Sequence, residues 1–574
     1  MQKKSSLLGS AAFGVLVVVG MSALAPAADA AAKKHVKHHA SHSAAPSALE
    51  QKVEALTEAV SALQIRLNDS DQARQTTQAQ AQAAQADAAA ARSDAQAARS
   101  QLAEQIQTLP GEVKTEIAAE RPKPDGKLHY KGVSLTIGGF AAAEAVDRSK
   151  NELADIGSSF AKIPFDNAPL SHTSELRGTA RQSRLSLLAE GDIDPNTHAS
   201  FYTELDFLAG PQTGNSNESN SFSPRIRNVY GTLDWDNLGL HLLAGQNWSL
   251  ATLNSKGITP RNEVPPATIE AQYVPGFVWA RQPQIRLVKS FDKQVWLAVS
   301  LESPATTFAS AATGVSGTAS GVSITDTAVG VSQLNSANSY SFNHLPDVIG
   351  KVAWEPMIGG AQPLHMEAFG IYRQYYDRVN SAAGNAALNP VGITNVNTTG
   401  GGFGGSVTFS VIPKVLDLQG SAMTGTGIGR YGSGQLPDTV VASNGSLQPI
   451  PETMFLFGGT LHATPALDIY VYGGEEYEGS KVFTVGANTS FGGYGNPTAN
   501  MTNCFIEGAS CTANTRQIDQ YTAGFWDKVY NGSYGNVRVG LQYSHTDLIA
   551  FAGTGGRPTT SDDMVFTSFR YYPF

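Results

Sequence analysis

The chain has 574 residues, of which 16% are charged and 57 are glycine, with a mean hydropathy of -0.17 and a formal net charge of -9. A helical membrane protein needs apolar runs of about 20 residues, and beyond the N-terminal leader the sequence has none. The acidic balance gives no reason to expect a nucleic-acid partner.

Residues 1–30 have the three parts of a secretory signal peptide: Lys3 and Lys4, an apolar core from Leu7 to Val19, and the small-residue site Ala28-Asp29-Ala30. Cleavage after Ala30 is expected. No Cys follows the apolar core, so no lipoprotein anchor is expected. Residues 31–48 form a basic linker with His35, His38, His39 and His42. Histidines bind transition metals, but no carboxylate or cysteine completes this set and the flanking lysines repel cations. A solvated linker is the preferred reading, with no metal and no cofactor.

From residue 49 to 109 the pattern is a heptad. Leu49, Val53, Leu56, Val60, Leu63 and Leu67 alternate steps of four and three, and Ala81, Ala84, Ala88, Ala91, Ala95 and Ala98 continue the register to Leu102 and Leu109. This predicts an α-helical coiled coil in the periplasm, about 90 Å long if fully helical. Arg74 falls on the seam, and Pro110 ends the pattern. Val and Leu on the seam favour two strands. Residues 110–132, with Pro122 and Pro124, are expected to be a linker.

Beyond residue 132 the period falls to two. In Phe201–Phe207 the residues Phe201, Thr203, Leu205 and Phe207 share one face, and Tyr202, Glu204 and Asp206 share the other. Short turn signals recur at 192–196, 236–239, 290–293, 356–362, 413–414, 464–466 and 531–535, separated by long Gly/Ser/Asn/Thr-rich stretches such as 303–346, 377–401 and 478–520. Alternating short and long connections mark a transmembrane β-barrel. Seven turns with both ends of the domain on the turn side give about 16 antiparallel strands over residues 133–574. The terminal Tyr571-Tyr572-Pro573-Phe574 fits an aromatic girdle and a signal for the barrel-assembly machinery carried by Phe574, with Arg570 breaking the apolar face.

Several segments resemble the DcaP-type trimeric outer-membrane porins. They are Arg181–Leu185, Arg225–Gly231, Leu243–Ser249, Arg281–Arg286, Gly425–Tyr431 and the C-terminal tetrapeptide. The resemblance runs over residues 133–574, and the heptad stalk also fits it. It implies a homotrimer of 16-stranded barrels and passive uptake of small anions such as dicarboxylates. A trimer is preferred over the dimer suggested by the seam. The loop at 303–346 and the cysteines depart from the family pattern.

Arg184, Arg225, Arg227, Arg281 and Arg286 recur in the polar phase of the strands and are the candidates for lining the pore and binding anions. Two readings stand. In one they select anions; in the other they pair with Glu190, Glu204 and Asp206 as an inert network. The connection 249–280, with Arg261, is the candidate constriction loop. Cys504 and Cys511 are expected to form a disulfide in an exported loop.

No enzyme is expected. Gly427–Gly432 fits GxGxxG but no helix follows, and the glycines at 400–405 lack the Lys and Ser/Thr of a P-loop. His198, His241, His365, His462 and His545 are scattered, which suits lumen or interface positions better than catalysis. The expected function is an outer-membrane porin for small hydrophilic solutes, one that prefers anions, in contact with membrane lipids and lipopolysaccharide. The alternative is an anchor that tethers the envelope to the cell wall through the coiled coil.

Overall fold

A computed structural model describes residues 126–209, 223–309, 322–325, 327–329, 339–358, 362–381, 392–485 and 490–574, with scattered positions between 57 and 101. The signal peptide, the His-rich linker and most of the heptad seam lie outside the described residues. The described positions between Thr57 and Gln101 are helical and exposed. Thr76 and Ser100 each donate a hydroxyl hydrogen bond to the carbonyl four residues earlier. The chain divides into two units, 1–122 and 123–574, and the second is the barrel.

Sixteen of the described strands close into a ring. They are β1 (Val133–Arg148), β2 (Arg184–Asp194), β3 (Thr197–Asp206), β4 (Arg225–Trp235), β5 (Leu240–Trp248), β6 (Arg281–Phe291), β7 (Val295–Glu302) and β8 (Asp347–Trp354). The second half is β9 (Gln362–Ser381), β10 (Gly392–Ile412), β11 (Leu416–Thr426), β12 (Pro451–His462), β13 (Leu467–Glu478), β14 (Thr515–Gly532), β15 (Gly535–Ala550) and β16 (Thr559–Tyr572). Each pairs antiparallel with its sequence neighbours, and β1 closes the ring by pairing Ala141–Arg148 with Met564–Tyr571 of β16. A closed antiparallel wall leaves no strand edge unpaired, which a membrane-crossing sheet requires.

The side-chain distribution is inside-out relative to a water-soluble protein. Outward positions carry Phe403, Phe457, Val471 and Tyr521, all more than half exposed. Inward positions carry Arg148, Arg286, Glu302, Arg373 and Glu476, all at most 1% exposed. Because β-strand side chains alternate, this sorting fixes the register of every strand.

All seven expected turns are present on one side of the ring. Gly239 closes the β4–β5 turn in the left-handed region, and Asp292, Lys293 and Lys414 also take positive φ in turns. Three expectations need correction. Residues 377–381 and 392–401 are not loop but the ends of β9 and β10, paired from Ser381 with Gly392 inward. The glycines at 400–405 therefore stand mid-strand, where Gly404 leaves room for the Phe369 ring. The linker ends earlier than residue 132, since Leu128–Tyr130 already pairs with Val133–Leu135. Arg570 does not break the apolar face. It belongs to the inward phase of β16 and donates to Glu144 Oε1 (2.9 Å), while Val565 and Phe569 hold the outward phase.

The outward phase of β13 gives a direct test. Val471 stands near mid-strand, so Val471→Arg is expected to destabilise the barrel by about 2–4 kcal/mol in urea unfolding from lipid vesicles. Val471→Leu should leave stability unchanged; equal effects of the two would contradict the outward assignment.

Candidate functional site: the lumen and its infolded loop

The connection 249–280 does not extend away from the barrel. It turns inward and lies along the inner wall, as its polar contacts in order show. Leu250 N–H donates to Glu302 (2.7 Å), and the carbonyl of Thr252 accepts from Lys351 Nζ (2.7 Å). The carbonyl of Ala267 accepts from Trp526 Nε1 (2.8 Å), and Ile269 N–H donates to Gln542 Oε1 (2.6 Å). Gly276 N–H donates to Glu476 Oε1 (2.8 Å). The loop thus leaves β5 and reaches the wall at β7, β8, β13, β14 and β15. Gly474 makes the last approach possible: a Cβ there would sit 1.9 Å from the Pro275 carbonyl oxygen. A cavity of about 800 Å³ lies between this loop and the turn side of the wall, lined among others by Arg184, Lys256, Tyr273, His365, Asp417 and Arg538.

Four of the five sequence-predicted arginines cluster on the wall facing the loop. Arg225 grips Asp206 with two hydrogen bonds (2.9 and 2.7 Å). Arg227 donates to the same carboxylate (3.0 Å), to Glu204, and to the Tyr273 hydroxyl of the loop (3.3 Å). Arg184 stands 3.9 Å from Glu204. Arg281 lies over the Trp248 ring at 4.5 Å, and among the described residues it has no hydrogen bond or ion pair. Its charge is within electrostatic reach of Arg184, Arg225 and Arg227. Four guanidiniums therefore share two carboxylates, which leaves two positive charges uncompensated. Arg184, Arg225 and Arg281 are half-buried rather than sealed.

The remaining candidates differ. Arg286 is 1% exposed and donates to Gln284 and to the Trp248 carbonyl (2.6 Å), so it holds the loop's first residues to the wall and does not face water. Arg261, on the loop, is exposed, reaches the Tyr230 hydroxyl at 3.4 Å and stands over Tyr202. Glu190 takes no part in the arginine cluster; it pairs with Lys127 (3.0 Å) in the turn-side hairpin. Cys504 and Cys511 are joined in a disulfide within the connection 479–514.

Sequence reasoning missed Trp248 and Tyr273, which frame the cluster, and Lys351 and Glu367, which seat the loop; it gave His365 a lumen or interface position but not its two acidic partners. The parity of β8 and β9 signals that Lys351 and Glu367 point inward, but nothing local signals their loop partners. His198, His241, His462 and His545 each face an Asp. Among the described residues no three or more His, Cys, Asp and Glu side chains are arranged to hold a metal ion. Gly427–Gly432 enters a short 3-10 turn at Gly429–Tyr431, with Tyr431 fully buried in the lumen, and no helix follows.

A closed 16-stranded antiparallel barrel with charges inside and a long loop folded into it is the architecture of an outer-membrane porin. No family model matches the chain, and no curated protein matches it. Among solved structures it is similar to the outer membrane channel DcaP of Acinetobacter baumannii, at 18% identity and a TM-score of 0.53, covering 78% of this chain and 99% of that one. The chain thus has the fold of a DcaP-like porin. Weaker likenesses, on which nothing rests, are to OprB of Pseudomonas putida (12% identity, TM-score 0.41, 80% of this chain and 96% of that one) and OmpF of Salmonella typhi (10%, 0.40, 78% and 99%).

The two kinds of arginine should separate in stability measurements. Arg227→Ser strands Glu204 and Asp206 and is expected to cost about 3–5 kcal/mol. Arg281→Ser strands no carboxylate and should cost about 1–2 kcal/mol, the value of its ring contact when desolvated. Equal costs would mean that Arg281 has an acidic partner.

Proposed function

We propose that this protein is a porin of the outer membrane of a Gram-negative-type bacterium, a channel and not an enzyme, which passes small hydrophilic solutes and prefers anions. The observation that carries this reading is the pair of uncompensated positive charges at Arg184, Arg225, Arg227 and Arg281 beside the infolded loop. Fixed guanidiniums lower the energy of a passing anion, and their planar forks match carboxylates. The overall charge of -9 does not oppose this, because charge at the narrow part of a pore outweighs the sum over the chain. Much of the negative charge is also committed elsewhere, as at Glu476, which accepts from the amides of Gly276 and Gly434.

Membership of the DcaP-type family is part of the proposal. It rests on the sequence segments Arg181–Leu185, Arg225–Gly231, Leu243–Ser249, Arg281–Arg286 and Gly425–Tyr431, together with the shared fold. With it come small mono- and dicarboxylates as solutes and a homotrimeric assembly. In the same reading residues 1–30 direct export and Phe574 engages the barrel-assembly machinery. Residues 49–109 form a periplasmic coiled coil that can contact the cell wall, and membrane lipids and lipopolysaccharide surround the wall. In the alternative reading that segment is a tether, a role that can coexist with the channel.

Reversal potentials in planar bilayers under a salt gradient test the selectivity. The wild type should prefer anions. The double variant Arg184→Ser with Arg281→Ser removes the two charges with the weakest acidic pairing. At about 1 kcal/mol for each charge acting on an ion near 4 Å in water-like surroundings, removing two should lower the anion preference roughly thirty-fold. Unchanged selectivity in a conducting channel would refute the anion-selecting role of the cluster.

A further inference from the structure

One chain of contacts on the turn side of the lumen has no part in anion attraction. His365, on β9, places Nδ1 2.8 Å from Glu355 Oε1 and Nε2 2.9 Å from Glu367 Oε1. Both carboxylates hold the infolded loop. Glu355 accepts from Gly257 N–H, and Glu367 accepts from Asn254 N–H (3.3 Å). Glu367 is further held by Lys351 Nζ (2.7 Å) and Ser406 Oγ (2.7 Å), and Lys351 in turn donates to Asn254 Oδ1 (3.1 Å). The imidazole therefore ties two acids, one from the β8–β9 turn and one from β9, that together grip loop residues 254–257.

A histidine with a carboxylate oxygen under 3 Å from each ring nitrogen needs a proton on both, because an ionised carboxylate only accepts hydrogen bonds. The imidazolium satisfies this and neutral imidazole does not. When the second proton leaves, one nitrogen turns its lone pair toward a carboxylate and that contact becomes repulsive. Glu367 cannot yield: its side chain is fully buried and fixed by Lys351 and Ser406. Glu355 can, since its side chain is 21% exposed and borders the cavity. The other charges bearing on this group are Lys351 and Glu367 on the wall, Asp292 and Lys293 of the β6–β7 turn and Lys256 of the loop on the cavity surface, and more distantly Arg286 and Glu263. β10 contributes an uncharged neighbour, Thr408, opposite His365.

We propose that His365 is a positioning residue that works as a proton-operated latch. It seats the lumen loop at Gly257 when protonated and frees that residue as pH rises, while Asn254 stays held by Glu367 and Lys351, which makes the width of the solute path dependent on pH. The consequence for the path rests on the channel reading above; the latch itself does not. Closed, the loop holds its seat on the wall at Gly257. Open, Glu355 swings toward the cavity and the Gly257 amide loses its acceptor.

Hydrogen–deuterium exchange of the Gly257 amide in the folded, full-length protein tests this, with the Asn254 amide as the reference that stays protected and both expressed as protection factors so that intrinsic pH effects cancel. In the wild type, protection should fall roughly ten-fold between about pH 5.5 and about pH 9, the equivalent of one lost hydrogen bond. His365→Leu should be poorly protected at both pH values. Glu355→Gln should show protection that does not change with pH, because its neutral amide is not repelled by the lone pair of neutral imidazole. Since Glu355→Gln is a small change, it keeps the test decisive if His365→Leu misfolds. Equal protection across pH in the wild type, or pH-dependent protection persisting in Glu355→Gln, would overturn the latch. A protein with the predicted exchange pattern but no conductance at any pH would keep the latch and overturn the channel reading instead.

Discussion

The pairing of Ala141–Arg148 with Met564–Tyr571 joins the first strand to the last, and the rest of the structure depends on that seam. An open sheet of this size would expose two edges of unpaired backbone groups, which hydrocarbon does not tolerate. Closure removes them and also imposes a choice at every residue between outside and inside. Outside, the choice is met by Phe403, Phe457, Val471 and Tyr521. Inside, it brings Arg, Lys, Glu and Asp together in a confined space where each charge must be paired, hydrogen-bonded or left to attract something mobile.

The infolded loop is the response to that interior. Its amides and carbonyls meet side chains on six different strands, and the wall supplies glycine where the backbones come closest. Arg373 shows the same logic elsewhere: fully buried, it donates to Asp347 and Asp438 and to the carbonyl of Gly427, so it binds a second inward segment to the wall. Against these satisfied networks the arginines near Tyr273 stand out. Arg227 is fully engaged, Arg225 nearly so, but Arg281 has only an aromatic face beneath it. A buried or half-buried cation with no anion is costly unless water or a solute supplies the missing charge.

Much of the wall was legible in the sequence because side-chain alternation and turn chemistry are local. The turns near Asp236, Lys293, Lys414 and Asn531 announce themselves in a few residues, and parity puts Arg184 on the inner face with Glu204 and Asp206, whereas Arg225 and Arg227 join them through a bulge that offsets them from the inward Tyr230 and Thr232. The errors have physical causes. Residues 377–381 and 392–401 look like loop because polar residues dominate the first and Gly, Asn and Thr the second, yet strands that rise beyond the apolar band need no hydrophobic face. Arg570 looked like a break in an apolar stripe until the ring fixed which phase points inward. Arg286 obeys the parity rule but is consumed by the Trp248 carbonyl, and Glu190 is drawn off by Lys127. Such partners lie on or beside neighbouring paired strands, and no local residue pattern marks which inward side chain they will take up. The infolding of 249–280 was suggested by its length and place, but the acids that seat it, Glu302, Glu367 and Glu476, carry no local mark of that role.

The central claim is that a water-filled path runs through the barrel and that residues 249–280 narrow it. Single-channel conductance with neutral polymers of graded size measures the width of that path directly. The wild type should conduct in discrete steps and exclude polymers that enter a variant in which residues 255–275 are replaced by a short glycine-serine linker. A barrel that folds and inserts but conducts no ions, or one whose size limit is the same with and without the loop, would contradict the account.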